Sequence, residues 1–345
     1  MSGDLGAEVV VRAAAATLRK YQHVDLILVG DEDELTDLVK RIVSDHSDAG
    51  RIRILHASEV VGMSEPPADA VRKKKDSSMR VAINLVKDGD AGACVSSGNT
   101  GALMATAKFV LKTLPGIDRP AFITELPAKS GTLHMLDLGA NTEASAEQLF
   151  QYAMMGSIVT SDIAGIEQPR IALLNIGAED IKGNDTVRDA AALLNASTLN
   201  YVGFIEGNDL FSGKADVVVT DGFTGNVALK TIEGAVGLVT HFLKREFTRN
   251  WFSKLQAIVA RPVLRRLATE MDARAYNGAT LVGLNGIVVK SHGSADSIAF
   301  QHAIDTAIVE IRNQLPQQIG NLLQKETALS IHALQGQVGI SPNES

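Results

Sequence analysis

The stretch Ala91-Gly92-Ala93-Cys94-Val95-Ser96-Ser97-Gly98-Asn99-Thr100-Gly101-Ala102 carries the pattern that decides the fold. A short apolar run, typical of a buried strand, leads into a loop of small, hydroxyl and amide residues, and a helical pattern follows. Similar loops recur further along the chain at Gly139-Ala140-Asn141-Thr142, Lys182-Gly183-Asn184-Asp185, Asp221-Gly222-Phe223-Thr224-Gly225-Asn226 and Ser291-His292-Gly293-Ser294-Ala295-Asp296. Repeated strand–loop–helix units predict a doubly wound α/β protein with a mostly parallel sheet.

The apolar runs of the chain predict the strands of this sheet. They are expected at Val24–Gly30, Arg51–Ala57, Ala91–Val95, Leu133–Leu138, Arg170–Ile176, Tyr201–Ile205, Val217–Thr220 and Ile287–Lys290. Aromatic residues make up only 4% of the 345 residues, so the core must rest on Ala, Val, Leu and Ile. Such a core suits a parallel sheet that is covered by helices on both faces.

The five loops predict a site for an anion, most simply phosphate. Loops at the carboxyl ends of parallel strands line one crevice in an open α/β sheet, so we expect all five to converge. Backbone N–H groups, hydroxyls and helix N-termini favour negative charge there. The candidate phosphate- and substrate-binding residues are Ser96, Ser97, Gly98, Asn99, Thr100, Asn141, Thr142, Asn184, Asp221, Thr224, Gly225 and His292.

Three side chains of these loops have a chemical interpretation and a structural one. Lys182 can neutralise a phosphate or a developing oxyanion, or it can be a solvated loop lysine. Asn226 can donate to a carbonyl oxygen in the transition state, or it can cap the helix that follows. His292 can serve as a general acid or as a hydrogen-bonded structural histidine, and the loop at Ser96–Gly101 can be a simple helix cap. The sequence leaves these alternatives open.

Composition and missing motifs exclude several classes of protein. A net charge of −7 argues against a general nucleic-acid binder. The chain has no Walker A pattern, no Gly-x-Gly-x-x-Gly after a strand and no His/Cys spacing typical of zinc, so we expect no cofactor and no metal.

Cys94, the single cysteine, lies in an apolar run and is expected to be a buried structural thiol. No signal peptide and no apolar run of 18 or more residues is present, which favours the cytoplasm.

We expect one α/β domain over residues 1–335 and a frayed tail over residues 336–345. A helical excursion interrupts the domain at about residues 236–276, and Pro262 is a candidate break within it. Its apolar side chains recur at helical spacing and include Trp251, Phe252, Leu255 and Ile258, while its cations include Arg249, Lys254 and Arg261. A basic amphipathic helix predicts contact with an anionic membrane surface or an acidic partner. The alternative is a helix–helix dimer contact.

Five ordered motifs resemble one known family. They are Glu65-Pro66-Pro67 with Lys74-Lys75 and Ser77-Ser78-Met79, Val95–Leu103, Asp137–Asn141, Lys182-Gly183-Asn184 and Asp221–Asn226. Together they resemble the bacterial phosphate acyltransferases of phospholipid synthesis, the PlsX family. The resemblance implies a three-layer fold like those of isopropylmalate dehydrogenases and phosphotransacetylases, a homodimer and peripheral contact with the inner membrane face.

The resemblance also implies a reaction. Inorganic phosphate attacks the thioester of a long-chain acyl-acyl-carrier protein and gives acyl phosphate, with Lys182 and Asn226 as the catalytic pair. Family members begin with a strand ahead of the stretch that matches Met1–Asp4, so we expect one position of the sheet to be empty. Two other functions stay open: a short-chain phosphate acyltransferase that uses acyl-CoA, and a non-catalytic membrane-associated scaffold that binds phosphate.

Overall fold

The computed structural model describes residues 3–179, 181–270 and 273–325, so the expected tail at 336–345 lies outside the described residues. The helices are α1 (Ala7–Lys20), α2 (Glu32–Ile42), α3 (His46–Ala49), α4 (Pro67–Lys73), α5 (Ser78–Asp88), α6 (Thr100–Leu111), α7 (Ala146–Ala164), α8 (Asp185–Asn195), α9 (Gly222–Thr248), α10 (Trp251–Glu270) and α11 (Ser297–Arg312). The strands are β1 (Leu26–Gly30), β2 (Ile52–His56), β3 (Ala93–Ser96), β4 (Ala121–Pro127), β5 (Thr132–Leu136), β6 (Ile171–Leu174), β7 (Tyr201–Ile205), β8 (Val217–Val219), β9 (Ala279–Val282) and β10 (Ile287–Lys290).

The main sheet has eight strands in the order β3-β10-β9-β4-β5-β8-β6-β7. All eight predicted strands are confirmed: six lie in this sheet, and β1 and β2 form a separate pair. The other two strands of the main sheet, β4 and β9, were not predicted, and they lie together in its middle. Both are antiparallel to their neighbours, whereas the pairs β3–β10, β5–β8, β8–β6 and β6–β7 are parallel. Strand direction therefore reverses across the centre of the sheet: β3, β10 and β4 run one way, and the other five strands run the opposite way.

The reversal arises at the β4–β5 hairpin. Pro127 pairs with Thr132, and the short turn between them contains Gly131 at a φ of 78°. A connection this short can join only antiparallel strands, because parallel neighbours need a long crossover. Strand β8 pairs in parallel with β5, β6 with β8, and β7 with β6, so all three run in the direction of β5.

A groove of about 350 Å³ separates β1 from β3. The strands β1 and β2 form their own parallel pair, and the facing edges of β1 and β3 have no partner strand in the described part of the chain. The groove is lined by residues 26–29 and 91–97 and by apolar residues of α11 such as Phe300 and Ile304. It interrupts what would otherwise be one continuous sheet, in agreement with the empty position expected from the sequence.

Helices cover both faces of the main sheet and make three layers, as predicted. One face packs against Ile83 of α5, Leu103 and Ala107 of α6, and the first half of α9 through Leu229 and Ile232. The other face packs against α7, α8 and the chain after α11, with core residues Leu149, Tyr152, Val159, Leu194 and Leu315. Cys94 is buried in the first of these layers, which confirms the structural interpretation of the thiol. Burial raises its pKa to about 12.

The helical excursion consists of two helices that break at Arg249–Asn250, so the candidate break at Pro262 is wrong. Asn250 caps α10, since its Oδ1 accepts a hydrogen bond from the N–H of Ser253 at 2.8 Å. Pro262 lies inside α10 and removes one backbone hydrogen bond to the carbonyl of Ile258. That residue is 68% exposed, so its carbonyl can bond water instead.

Candidate active site

The predicted loops do not all meet at one end of the sheet. Ser96–Gly101 and Ser291–Asp296 follow β3 and β10, whereas Gly139–Thr142, Asp221–Asn226 and Lys182–Asp185 follow β5, β8 and β6. Because the two sets of strands run in opposite directions, their carboxyl ends lie at opposite ends of the sheet. The expected convergence assumed that all five loops follow parallel strands, and this assumption is wrong. The loops form two groups, which we call the β3–β10 group and the β5–β8–β6 group.

Hydrogen bonds and close contacts hold the loops of the β3–β10 group together. The N–H of Ser291 donates to the carbonyl of Ser96 at 2.9 Å, and the N–H of Asp4 donates to the carbonyl of Gly293 at 2.9 Å. Gly3 lies so close to the Ser97 hydroxyl that a β-carbon at Gly3 would be 2.5 Å from it. Ser96, Ser97, Gly98, Thr100 and His292 thus belong to one cluster of loops, together with residues 3–6.

The amide of Asn99 is engaged in hydrogen bonds within the protein and is not available to a ligand. Its Nδ2 donates to the carbonyls of Gly62 at 3.3 Å, Met63 at 2.8 Å and Glu65 at 3.0 Å. Its Oδ1 accepts from the N–H of Ala102 at 3.0 Å and so caps α6. The Ser96–Gly101 loop can therefore offer an anion its backbone N–H groups, its hydroxyls and the positive end of α6, but not the Asn99 amide.

His292 is exposed at the rim of the same group. Its N–H donates to Oδ1 of Asn277 at 2.9 Å, and its Nδ1 lies 2.8 Å from the Ser294 hydroxyl. Asn277 also donates to the Ser291 hydroxyl at 2.8 Å. These contacts fix the loop after β10 and leave the second ring nitrogen of His292 toward solvent.

Asp137 organises the β5–β8–β6 group, and the candidate residues from the sequence did not include it. The buried carboxylate accepts four hydrogen bonds, from the N–H groups of Phe122 at 3.0 Å, Ala140 at 3.0 Å and Asn141 at 2.8 Å, and from the Asn141 amide at 2.9 Å. Burial raises the pKa of Asp137, and these four donors oppose the rise. Asn141 also donates to the carbonyl of Pro120 at 2.8 Å, so its side chain is part of the scaffold. The sequence feature that could have indicated this role is an Asp directly after the run Leu133–Leu136.

Two glycines let the first turn of α9 lie directly on the Asp137 loop. A β-carbon at Gly222 would be 2.4 Å from the carbonyl oxygen of Asn141, and one at Gly225 would be 1.9 Å from that of Asp137. No side chain fits at either position without moving backbone. This close approach brings Asn226 against Gly139, where a β-carbon would meet the Asn226 Cβ at 3.4 Å.

Asn226 does not cap the helix, so that alternative is wrong. The cap is Asp221, whose Oδ1 accepts from the N–H of Thr224 at 2.9 Å and whose Oδ2 accepts from the Thr224 hydroxyl at 2.7 Å. Asp221 and Thr224 are therefore engaged with each other. The Asn226 side chain is exposed and has no hydrogen-bond partner among residues 3–179, 181–270 and 273–325. Its amide is available to a ligand.

Lys182 lies at the same end of the sheet as Asn226, after the neighbouring strand β6. Its carbonyl accepts from the Asn175 amide at 3.2 Å, and Asn184 caps α8 by accepting from the N–H of Val187 at 2.9 Å. The Lys182 side chain is exposed and pairs with no carboxylate in the described ranges. Thr142 is likewise exposed. A free ammonium group and a free amide thus follow two adjacent parallel strands.

Lys290, the last residue of β10, was also missing from the predicted site. It pairs in register with Ser96 on one side and Ala279 on the other, so it shares their face of the sheet. Burial lowers the pKa of Lys290 to about 8, with the nearby Asp4 carboxylate opposing and Lys230 reinforcing the change. A lysine that ends the apolar run Ile287–Lys290 was the signal in the sequence.

Helix α9 connects the two groups across one face of the sheet. It begins at the β5–β8–β6 group, and Lys230, one turn after Asn226, is close enough to Lys290 to affect its pKa. Backbone donors therefore lie at the β3–β10 group, and the exposed side chains of Asn226 and Lys182 lie at the β5–β8–β6 group. Such a surface can hold an anion and stabilise developing negative charge. The described residues contain no cluster of His, Cys, Asp and Glu that could hold a metal ion.

Comparison with known proteins identifies the family. The family model described as "Fatty acid synthesis protein" matches residues 1–318. A phosphate acyltransferase of Alkalilimnicola ehrlichii is 55% identical over 324 residues, covering 94% of this chain and 94% of the relative. A phosphate acyltransferase of Nitrosococcus oceani is 54% identical over 325 residues, covering 94% and 95%.

Solved structures agree with the architecture. A phosphotransacetylase from Streptococcus pyogenes superposes with a TM-score of 0.59 at 20% identity, covering 89% of this chain and 92% of that one. The EutD phosphotransacetylase from Staphylococcus aureus gives 0.56 at 19% identity, covering 88% and 90%. At this identity the likeness concerns the fold alone, and it confirms the predicted phosphotransacetylase-like arrangement. Because the family model spans nearly the whole chain and relatives share more than half of its residues, the chain belongs to the fatty acid synthesis protein family, the PlsX family of phosphate acyltransferases.

Proposed function

We propose that this protein transfers a long-chain fatty acyl group from acyl-acyl-carrier protein to inorganic phosphate and so forms acyl phosphate. The observation that carries the proposal is the identity of more than half its residues, over 94% of the chain, with relatives named phosphate acyltransferase. The two loop groups support it, because they combine loops suited to a phosphate with an amide and an ammonium group that have no partner among the described residues.

The reaction needs no nucleophile from the protein. A phosphate oxygen attacks the thioester carbonyl carbon, and the carbonyl electron pair moves onto oxygen to form a tetrahedral intermediate. Its collapse breaks the C–S bond and releases the carrier-protein thiolate, which takes a proton from solvent. The protein holds the two substrates together and stabilises one oxyanion. We assign the oxyanion to the Asn226 amide N–H and the Lys182 ammonium group, because both are exposed at the same end of the sheet and have no partner in the part of the chain that the structure describes.

The helices α9 and α10 are proposed to contact an anionic membrane surface. No residue from 233 to 266 is buried, and Trp251 is 78% exposed directly after the break between the helices. Burying Trp251, Phe252, Leu255 and Ile258 in the lipid interface would gain roughly 6–12 kcal/mol in total, before the cost of ordering, at about 1.5–3 kcal/mol each. Arg249, Lys254 and Arg261 would each add about 1 kcal/mol near anionic lipid. Within the described ranges, no helix combines the length and the apolarity needed to cross a bilayer.

The same excursion is proposed to serve two protein partners. Its cations suit the acidic acyl-carrier protein, and the exposed apolar side chains Leu238, Val239, Phe242 and Leu243 of α9 suit a second copy of the chain in a homodimer. The protein would then work at the inner face of the cell membrane, where a hydrophobic acyl phosphate can be passed on without entering water.

One assay tests the function. The purified protein is incubated with inorganic phosphate and, in parallel, long-chain acyl-acyl-carrier protein or short-chain acyl-CoA, and acyl phosphate is trapped with hydroxylamine. We expect product with the carrier-protein substrate, formed roughly 10²–10³-fold more slowly by Asn226→Ala at the same protein concentration. Product from short-chain acyl-CoA alone would favour the soluble-thioester enzyme. Product from neither donor would favour the non-catalytic scaffold and refute the proposal.

A further inference from the structure

Lys290 lies in an unusual position for a lysine. It ends β10, is only 9% exposed, and points to the face of the sheet on which α6 and α9 pack. Directly opposite in register is Ser96, the first residue of the loop that leads into α6. The ammonium group is therefore beside the loop that is best suited to hold an anion.

No carboxylate of the described residues forms an ion pair with this buried ammonium group, although Asp4 is close enough to affect its pKa. The Lys290 Nζ donates to the carbonyl of Ser291, and within the described residues it has no carboxylate at ion-pair distance. The ionisable groups that act on it are Asp4 of the N-terminal loop and Lys230 of α9. The positive N-terminal end of α6 lies on the same side. Because a buried cation without a counter-ion is costly, such a position is retained where an anion binds.

We infer that Lys290 binds the phosphate co-substrate, donating from its ammonium group to a phosphate oxygen held against the Ser96–Gly101 loop. This inference rests on the proposed function, since it assigns one residue of the same site. The role is substrate binding and not acid–base chemistry, because the attacking phosphate is already an anion. Lys230, one turn after Asn226 in α9, is close enough to Lys290 to affect its pKa, so a phosphate held at Lys290 lies toward the start of α9. Lys182 and Asn226 act on the thioester carbonyl there, whereas Lys290 binds the attacking phosphate.

The binding role predicts a dependence on pH. Burial lowers the pKa of Lys290 to about 8 in the free protein, so the ammonium group loses its proton as pH rises past that value. Asp4 favours the charged form and Lys230 disfavours it. Inorganic phosphate remains a dianion in this range, so its own titration does not produce the effect. Phosphate affinity should fall above about pH 8.

Three variants test the inference: Lys290→Met, Lys290→Arg and, as a matched control, Lys87→Met at an exposed lysine of α5. Loss of a hydrogen bond to a charged group predicts an increase of about 10- to 100-fold in KM for phosphate in Lys290→Met, with KM for the acyl donor unchanged. Lys87→Met should behave as the wild type. Lys290→Arg keeps a permanent charge, so its phosphate affinity should stay constant up to about pH 9.5.

Calorimetric titration with inorganic phosphate alone separates this inference from the proposed function. If the wild type makes no acyl phosphate but binds phosphate more tightly than Lys290→Met, the reaction is wrong and the binding role stands. If wild type and Lys290→Met bind phosphate equally, or share one KM for it, the binding role is wrong. Should Lys290→Met fail to unfold cooperatively on heating, the wild-type titration decides: phosphate affinity that does not change from about pH 8 to about pH 9.5 overturns the inference.

Discussion

Replacing Glu310 by Gln should remove a large part of the pH dependence of stability. Glu310 of α11 is 2% exposed and lines a cavity of about 200 Å³ between the sheet, α7 and α11. The Thr280 hydroxyl donates to its Oε1 at 2.5 Å, while Oε2 has no hydrogen-bond partner among the described residues. Burial raises the pKa of Glu310 from 4.5 to about 8, the Thr280 hydrogen bond opposes that rise, and the charge of Asp162 adds to it.

The direction in which stability changes with pH follows from the protons bound in the folded and unfolded states. Between its ordinary pKa and about 8, folded Glu310 holds a proton that the unfolded chain has released, so the free energy of unfolding falls as pH rises. The slope is at most about 1.4 kcal/mol per pH unit, which gives about 2 kcal/mol between pH 6.5 and 8. Water that enters the cavity will reduce this value. Glutamine keeps an oxygen for Thr280 and does not titrate, so this contribution should vanish.

Denaturant unfolding at several values from pH 6.5 to about 9 measures the effect. His134 lines the same cavity, but burial lowers its pKa to about 4, so the folded protein keeps it neutral throughout this window. Glu167→Gln, an exposed position, is the matched control and should keep the wild-type slope. Equal slopes in wild type and Glu310→Gln would mean that Glu310 is ionised in the folded protein, and the reasoning from burial would be wrong.

Three further outcomes are expected. Lys182→Ala and Asn226→Ala should each lower turnover by roughly 10²–10³-fold with an unchanged unfolding midpoint, because each removes one donor to the oxyanion; near-normal turnover would exclude that residue from the mechanism. Gly225→Ala should displace the first turn of α9 from the Asp137 carbonyl and so lower both stability and activity. The control is Gly237→Ala, where a β-carbon has no neighbour within 4 Å, and this variant should unfold at the same or a higher denaturant concentration. Leu255→Glu combined with Ile258→Glu should abolish flotation with anionic vesicles and leave turnover on soluble substrate intact; equal flotation of wild type and variant would refute the membrane role.

Local patterns predicted the polar loop before α9 and the exposed helical excursion. The loop at Asp221–Asn226 was recognisable because a capping Asp and two glycines next to an apolar run restrict what the backbone can do. The exposed basic excursion was equally recognisable, because helical spacing of apolar and basic residues does not depend on the rest of the fold. Its break was misplaced, however, since capping by Asn250 and solvation of the Ile258 carbonyl depend on surroundings that the sequence does not display.

The sequence by itself determined the α/β class, eight of the strands, the polar loops that follow several of them and the family. These follow from periodicity, caps and glycines, which act over a few residues. Only the tertiary structure decided that the hairpin β4–β5 reverses the sheet and divides the loops into two groups. It also revealed Asp137 as the centre of one group and Lys290 as a buried cation in the other. Strand direction and burial depend on pairing between residues far apart in the chain, and no local pattern encodes them.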